Sequence, residues 1–219
     1  KWTHYFWEFL MLFLAVFAGF LAENKREHII EHKREKQYMA SLFSDLCKDT
    51  ASLNKLKIFT NKQLNNYDSL CKYLKLPLTD DNLRKQYYYF LPTTYYDFFS
   101  PTRRTIDQLE HSGGMRLIRN QNVSDSITDY YILTKNALGQ STTWLKYFDQ
   151  YHEQAFQVFD YAQFDTLFYK RDEILTMPTR FLLLTTDPTK IKTLYNKLFA
   201  LRFILANYML YMDELMIKS

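Results

Sequence analysis

The chain has 219 residues, of which 47% are hydrophobic and 18% aromatic, and its formal net charge is +4. This small, interspersed positive charge provides no electrostatic footprint for nucleic acid, so we expect no nucleic-acid partner. Four Gly and five Pro are too few for a loop-rich or all-β fold, and the sequence predicts an all-α protein with one domain-sized core.

An apolar run covers residues 5–22 and contains one charged residue, Glu8. A helix of about 20 apolar residues crosses a hydrocarbon core of about 30 Å, and the Trp and Tyr residues at the start of the run are typical of the headgroup boundary. A cleaved signal peptide fits less well because the residues before a possible cleavage site are bulky. A buried core helix would carry a polar stripe. We therefore expect residues 1–22 to form a transmembrane anchor in a lipid bilayer.

Small residues recur along one face of this predicted anchor. Ala15, Gly19 and Ala22 follow at i, i+4 and i+7, Ala18 lies at i+3, and Glu8 precedes Ala15 by seven residues. Small residues at this spacing let two helix backbones approach closely in lipid. The Glu8 carboxylate either reaches the membrane–water interface or pairs with a group on a neighbouring helix. The pattern predicts that the anchor packs against a second copy of the chain or against another membrane protein.

Residues 23–38 are rich in both Lys/Arg and Glu, with little to bury, and we predict a solvated, charged juxtamembrane helical stalk. Taken literally, the basic residues favour a cytoplasmic location for the rest of the chain. The chain begins at Lys1 without an initiator Met, so we expect a preceding flank of unknown charge. The positive-inside rule therefore does not decide the orientation.

Residues 39–219 are predicted to form an antiparallel helical-bundle domain. Apolar residues at alternating spacings of three and four indicate a first packing helix that ends at Pro77. A second helix begins at Thr79 or Asp80 and stops before Pro92. The Tyr and Phe clusters of residues 87–90 and 95–99 are expected to fill the core, since no basic groove accompanies them.

The middle of the chain is punctuated by a turn at Ser112, Gly113 and Gly114. We expect a helix that starts at Pro101 and runs to Ser112, where the glycines end it and let the chain reverse. We prefer this structural role to a ligand-binding loop. Residues 115–119 then form a short turn or helix.

Ser124 is expected to open a long helix, with residues 122–124 as a helix-capping turn rather than a glycosylation site. Residues 156–169 continue in helical phase.

The last helix has the clearest pattern in the sequence. It starts at a capped Asp187-Pro188 pair and carries a strict heptad seam, which favours an intramolecular bundle face over a free zipper. The seam consists of Ile191, Leu194, Leu198, Leu201, Leu205, Tyr208, Met212 and Leu215.

No constellation of residues predicts catalysis, a cofactor or a metal. His28, Glu31 and His32 match the H-x-x-E-H pattern of inverted zinc peptidases, but they lie in a polar stalk without a means of closing a cleft, and a solvated charged face explains them better. If one helix carries both Cys47 and Cys71, about 36 Å of helical rise forbids a disulfide between them. We predict a non-enzymatic protein.

The central segment resembles a widespread uncharacterised family of Bacteroidota, members of which carry an amino-terminal membrane helix. The similar positions are Thr105, Leu109, Ser112-Gly113, Leu117-Ile118, Asn120, Ile127 and Tyr130-Tyr131, together with Glu8 and Glu23-Asn24 around the anchor. The chain lacks the Gln-Ile-Asn-Asn-Trp sequence that often closes the family's span. The resemblance implies an inner-membrane protein with a periplasmic helical domain, and it implies no activity.

Two functions follow as hypotheses. The first is a non-enzymatic subunit or scaffold that associates with itself or with other membrane proteins through its anchor. The second is a periplasmic sensor or ligand-binding module that acts through a partner. A pocket that is lined by the Tyr clusters and has convergent polar groups would favour the second hypothesis. A helical body packed on another polypeptide would favour the first.

Overall fold

The computed structural model of the chain describes residues 2–164 and 181–218. All regular elements of this part are helical, and one isolated antiparallel bridge joins Phe159 to Leu183. The α-helices are α1 (Trp2–Tyr73), α2 (Asp80–Phe90), α3 (Arg104–His111), α4 (Gln121–Ala155) and α5 (Pro188–Lys218). Short 3-10 helices cover Leu91–Thr94, Gly114–Leu117 and Tyr161–Phe164. The predicted all-α class is confirmed.

Helix α1 is continuous over 72 residues. The predicted anchor, stalk and first packing helix are therefore one element, because no proline interrupts the backbone hydrogen-bond ladder before Pro77. The last turn closes with the amide of Leu74 donating to the carbonyl of Leu70 at 2.9 Å. Cys47 and Cys71 both lie on α1, and neither forms a disulfide.

The chain divides into two compact units, and each is built from two separate stretches of sequence. The first unit contains residues 1–48 and 102–128, and the second contains residues 49–101 and 129–219. This division differs from the predicted boundaries at residues 22 and 38, because the central segment joins the first part of α1.

In the second unit, α5 runs antiparallel to its two long neighbours. Arg202 of α5 pairs with Asp68 of α1, and Asp213 of α5 pairs with Lys57 of α1. Residue numbers therefore increase along α5 as they decrease along α1. The same order holds against α4, where the Gln154 side chain donates to the carbonyl of Lys190 at 3.2 Å. Lys218 approaches Asp129 to 3.9 Å near the opposite end of α5.

The start of α5 is the predicted one. The Asp187 carboxylate accepts a hydrogen bond from the amide of Thr189 at 2.8 Å, which satisfies a free donor of the first turn. The seam is buried within the chain from Leu194 to Leu215, while Ile191 is half-buried. The heptad spacing thus serves the core of the second unit.

Tyr87 organises an aromatic cluster in the second unit. Its ring stacks on Phe181 at a centroid distance of 4.7 Å and meets Phe159 edge-on at 5.1 Å. Its hydroxyl donates to the carbonyl of Leu182 at 2.6 Å and accepts from the amide of Asp160 at 2.9 Å. Burial raises the pKa of Tyr87 to about 12, so the hydroxyl keeps its proton and joins two chain segments.

The prediction for residues 87–99 is only partly right. Tyr87, Phe90 and Phe99 are buried as expected, whereas Tyr88, Tyr95 and Tyr96 are about half exposed. Along α2 this follows from helical geometry, since adjacent positions cannot face the same side.

Two predicted helix starts are wrong. Helix α3 begins at Arg104 rather than at Pro101, because its first turn is capped from elsewhere in the chain, as described below. Helix α4 begins at Gln121 rather than at Ser124. The Asn120 side chain lies 3.4 Å from the amide of Val123, so residues 122–124 belong to the helix and do not form a capping turn.

The predicted continuation of α4 to residue 169 is also wrong as far as the described residues extend. The helix ends at Ala155, and the amide of Val158 bonds back to the carbonyl of Ala155 at 3.0 Å in a turn. The chain then leads into the bridge at Phe159, because the rings of this stretch pack on α2. Residues 165–169 lie outside the described part.

His152 gives the second unit a pH-dependent stability. The ring is half-buried against Phe148, with centroids 4.2 Å apart. This burial lowers the pKa of His152 below 6.5, although a hydrogen bond to the Thr93 backbone and the charge of Asp149 partly oppose the shift.

Because the unfolded chain takes up a proton at His152 more readily than the folded chain, we expect the free energy of unfolding to fall as the pH drops below about 6.5. The maximum slope from one group is about 1.4 kcal/mol per pH unit. Urea unfolding of the wild type and of His152→Phe at pH 8 and pH 5.5 measures this effect. The variant should lose less stability between the two pH values, and an equal loss would assign the effect to other groups.

Candidate functional site

The predicted packing face lies on the first part of α1 and touches nothing else in the described chain. Ala15, Ala18, Gly19 and Ala22 are exposed, and a Cβ added at Gly19 would meet no atom within 4 Å. Glu8 is exposed and lies 3.2 Å from Nδ1 of His4, one turn earlier. Residues 5–22 thus present an open apolar helix surface.

Ser112, Gly113 and Gly114 form the turn that follows α3. Gly113 has φ = 64°, in the left-handed region that favours glycine. Gly114 is buried, and a Cβ there would lie 2.9 Å from Oγ of Ser112 and 3.0 Å from Cδ2 of Leu109. Steric constraints therefore favour glycine at both positions: the backbone conformation at Gly113, and the lack of space for a side chain at Gly114. Ile118 is buried after the turn, and Leu117 is half-buried.

Asp45 of α1 caps the start of α3. Its carboxylate is fully buried and accepts from the amide of Thr105 at 3.3 Å and from the Thr105 hydroxyl at 2.5 Å. The guanidinium of Arg104 donates to the other oxygen at 3.2 Å. Helix α3 has no side-chain cap from its own N-cap residue, Arg103. A residue 60 positions earlier therefore satisfies the donors of the first turn.

A second carboxylate of α1, Glu35, holds the far end of the same segment. It accepts from the backbone amide of Arg119 at 2.8 Å, and Nδ1 of His32 lies 3.0 Å away. The hydrogen bond from Arg119 and that from His32 lower the pKa of Glu35. The predicted solvated stalk is therefore partly engaged in packing, and Asp45 and Glu35 fix both ends of the central segment on α1.

A polar cleft of about 650 Å³ lies in the first unit between α1 and the turn after α3. One wall is formed by α1 between residues 23 and 41, and the other includes Ser112, Gly113 and Gly114. Six charged side chains line it: Glu23, Arg26, Glu27, Glu31, Arg34 and Arg116.

Glu23 and Arg26 neutralise each other in this cleft. Nε of Arg26 donates to Oε2 of Glu23 at 2.9 Å, and this bond lowers the pKa of Glu23. The charge of Glu27 also acts on Arg26. Among the described residues, however, no salt bridge is formed by the other four charged side chains, Glu27, Glu31, Arg34 and Arg116. The cleft thus offers two unpaired carboxylates and two unpaired guanidinium groups.

The H-x-x-E-H pattern does not form a cluster of metal ligands. His32 hydrogen-bonds Glu35, one turn further along, and His28 is exposed. Within residues 2–164 and 181–218, no three His, Cys, Asp or Glu side chains converge to hold a metal ion.

Sequence reasoning missed Asp45, Glu35 and the cleft. The sequence does contain a signal for one other buried polar residue of α1. The regular spacing of apolar residues breaks between Leu46 and Leu53, and Asp49 lies in this gap. Asp49 is buried and accepts from the hydroxyl of Tyr130 at 2.9 Å in the second unit. Arg116, which lines the cleft, lies in the short 3-10 helix Gly114–Leu117. No sequence pattern there indicates a role in a cleft.

Comparison with known proteins gives no relative for this chain. No protein-family model, no curated protein and no solved structure matches it. The resemblance of the central segment to the Bacteroidota family therefore stays a prediction.

Proposed function

We propose that the chain is a non-enzymatic, membrane-anchored helical subunit or scaffold that associates with itself or with another membrane protein through the first part of α1. The observation that carries the proposal is the one helix among the described residues that is long and apolar enough to cross a membrane, with no buried residue in its apolar part. Exposed apolar area of this size is costly in water, and a bilayer covers it.

The proposed location is the inner membrane, with the helical units in the periplasm. The apolar helix supports membrane attachment, and the resemblance of the central segment supports the orientation. The small residues of the packing face support a helical partner, since lipid alone gives no reason for Ala15, Gly19 and Ala22 to share a side.

Association through the packing face predicts a specific effect of Gly19→Leu. The added side chain meets no atom of its own chain, so it should leave folding intact and weaken association several-fold by separating the helix backbones. Val16→Leu, on another face of the same turn, is the matched control and should retain the wild-type assembly.

Gentle detergent extraction of the full chain, followed by sizing and mass spectrometry of co-purifying proteins, measures this effect. Cys47 adds a second readout because it is exposed and lies four heptads after Gly19. In a parallel pair of α1 helices, mild oxidation should cross-link Cys47 between two copies, and Cys47→Ser should not react. A wild-type monomer without a partner would refute the proposal.

A second candidate function is a periplasmic sensor or ligand-binding module that acts through a partner. The polar cleft of the first unit favours it, since its volume lies within the range of about 300–1,000 Å³ typical of ligand sites.

A further inference from the structure

The polar cleft of the first unit carries charges of both signs. With Glu23 and Arg26 paired to each other, the free charges are the carboxylates of Glu27 and Glu31 and the guanidinium groups of Arg34 and Arg116. An anion bound here would lie near two carboxylates, and a simple cation would lie near two guanidinium groups. Neither is electrostatically complementary to the cleft.

We propose that this cleft binds a small water-soluble zwitterion, with its primary amine at Glu27 and Glu31 and its anionic group at Arg34 and Arg116. An ammonium group donates three hydrogen bonds, which suits two carboxylates. A guanidinium group donates two parallel hydrogen bonds to a carboxylate or a phosphate. A molecule with both groups satisfies all four side chains without placing like charges together.

The position of the cleft distinguishes a soluble ligand from a lipid headgroup. The same chemistry occurs in phosphatidylethanolamine, so both sources are considered. Helical rise places Arg34 about 18 Å beyond Ala22, the end of the apolar run, whereas the headgroup layer of a bilayer is about 5–8 Å thick on each side. The anionic group at Arg34 therefore lies outside the lipid layer, and we assign the ligand to the aqueous phase.

This inference deepens the ligand-binding alternative, and only its assignment to a soluble ligand rests on the proposed membrane anchor. If the chain did not float with membranes, the anchor would be refuted and the proposed ligand site in the cleft would be unaffected. Failure of the titrations below would refute the site and leave the anchor intact.

The test uses three probes with the purified full chain in detergent micelles: phosphoethanolamine, ethanolamine and inorganic phosphate. Saturation-transfer NMR or calorimetry measures each dissociation constant. We expect phosphoethanolamine to bind about tenfold or more tightly than either of the other two, because each half adds at least one charge-assisted hydrogen bond. Equal affinity for all three probes would overturn the proposal.

Two double variants separate the two halves of the site. In Glu27→Gln/Glu31→Gln, phosphoethanolamine should lose its advantage over phosphate, and in Arg34→Gln/Arg116→Gln it should lose its advantage over ethanolamine. Glu153→Gln and Arg84→Gln remove exposed charges outside the cleft and should bind as the wild type does. Unchanged binding in both double variants, with circular dichroism as the folding control, would overturn the site.

Bicelles that contain phosphatidylethanolamine test the source of the ligand. They should not displace phosphoethanolamine from the full chain any better than phosphatidylcholine bicelles do. Selective displacement would overturn the assignment to a soluble ligand.

Discussion

Replacing Asp45 with alanine should lower the free energy of unfolding by about 2–4 kcal/mol. The carboxylate is fully buried and is the acceptor for both the amide and the hydroxyl of Thr105. Its removal leaves both donors buried without this partner, and it also leaves the first turn of α3 without a cap. Urea unfolding followed by circular dichroism measures the loss.

Companion variants show whether the loss comes from the cap. Asp45→Asn keeps an acceptor oxygen and should cost less than Asp45→Ala. Thr105→Val removes the hydroxyl donor, and its effect should be smaller in the Asp45→Ala background than alone, since the two residues share one interaction. Asp149→Ala removes an exposed carboxylate of α4 and should change stability by less than about 0.5 kcal/mol. Additive effects of Asp45→Ala and Thr105→Val would contradict the capping role.

Placing two arginines in the exposed apolar part of α1 should release the chain from the membrane. Phe13 and Phe17 are about half exposed and stack on each other at a centroid distance of 5.9 Å. An arginine near the centre of a membrane helix costs about 2.5–3.5 kcal/mol, so Phe13→Arg/Phe17→Arg should cost about 5–7 kcal/mol of insertion free energy. Flotation and alkaline extraction of membranes from expressing cells measure the distribution.

Matched control variants lie further along the same helix. Ile29 and Phe43 are also strongly exposed, with 62% and 70% of their surface accessible, but they follow the predicted anchor. Ile29→Arg/Phe43→Arg should stay in the membrane fraction. Labelling of Cys47 by an impermeant maleimide in intact spheroplasts reports the orientation, and protection of this exposed thiol would contradict a periplasmic location. Alkali-extractable wild-type protein would contradict the anchor itself.

Local chemistry allowed several elements to be predicted from the sequence. The Thr79 hydroxyl lies 3.3 Å from the amide of Asn82 at the start of α2, and Asp187 caps α5, because each cap acts within its own chain segment. The turn after α3 follows from two adjacent glycines. In these places the relevant physics acts over three or four residues, which a pattern in the sequence can express.

The missed features depend on contacts between residues distant in sequence. Pro101 is a good first helical residue by local rules, yet α3 begins at Arg104, where Asp45 supplies the missing acceptor. Glu35 stands among several similar charged residues of α1, and nothing local separates it from Glu27 or Glu31. Only the return of Arg119 to this part of α1 gives Glu35 its role. The cleft has the same origin, since the residues of one wall lie about 70 to 90 positions along the chain from those of the other.

Because the first unit is built from two separate stretches of sequence, it cannot fold until the second stretch has been synthesised. Residues 1–48 leave the ribosome well before residues 102–128, their partner stretch in that unit. At about 5–20 residues per second, the 80 residues from Lys48 to Thr128 take about 4–16 s to synthesise. Asp45 has no donor from α3 until Thr105 has been made, within this interval. The first part of α1 therefore completes its packing only after the central segment, residues 102–128, has been synthesised.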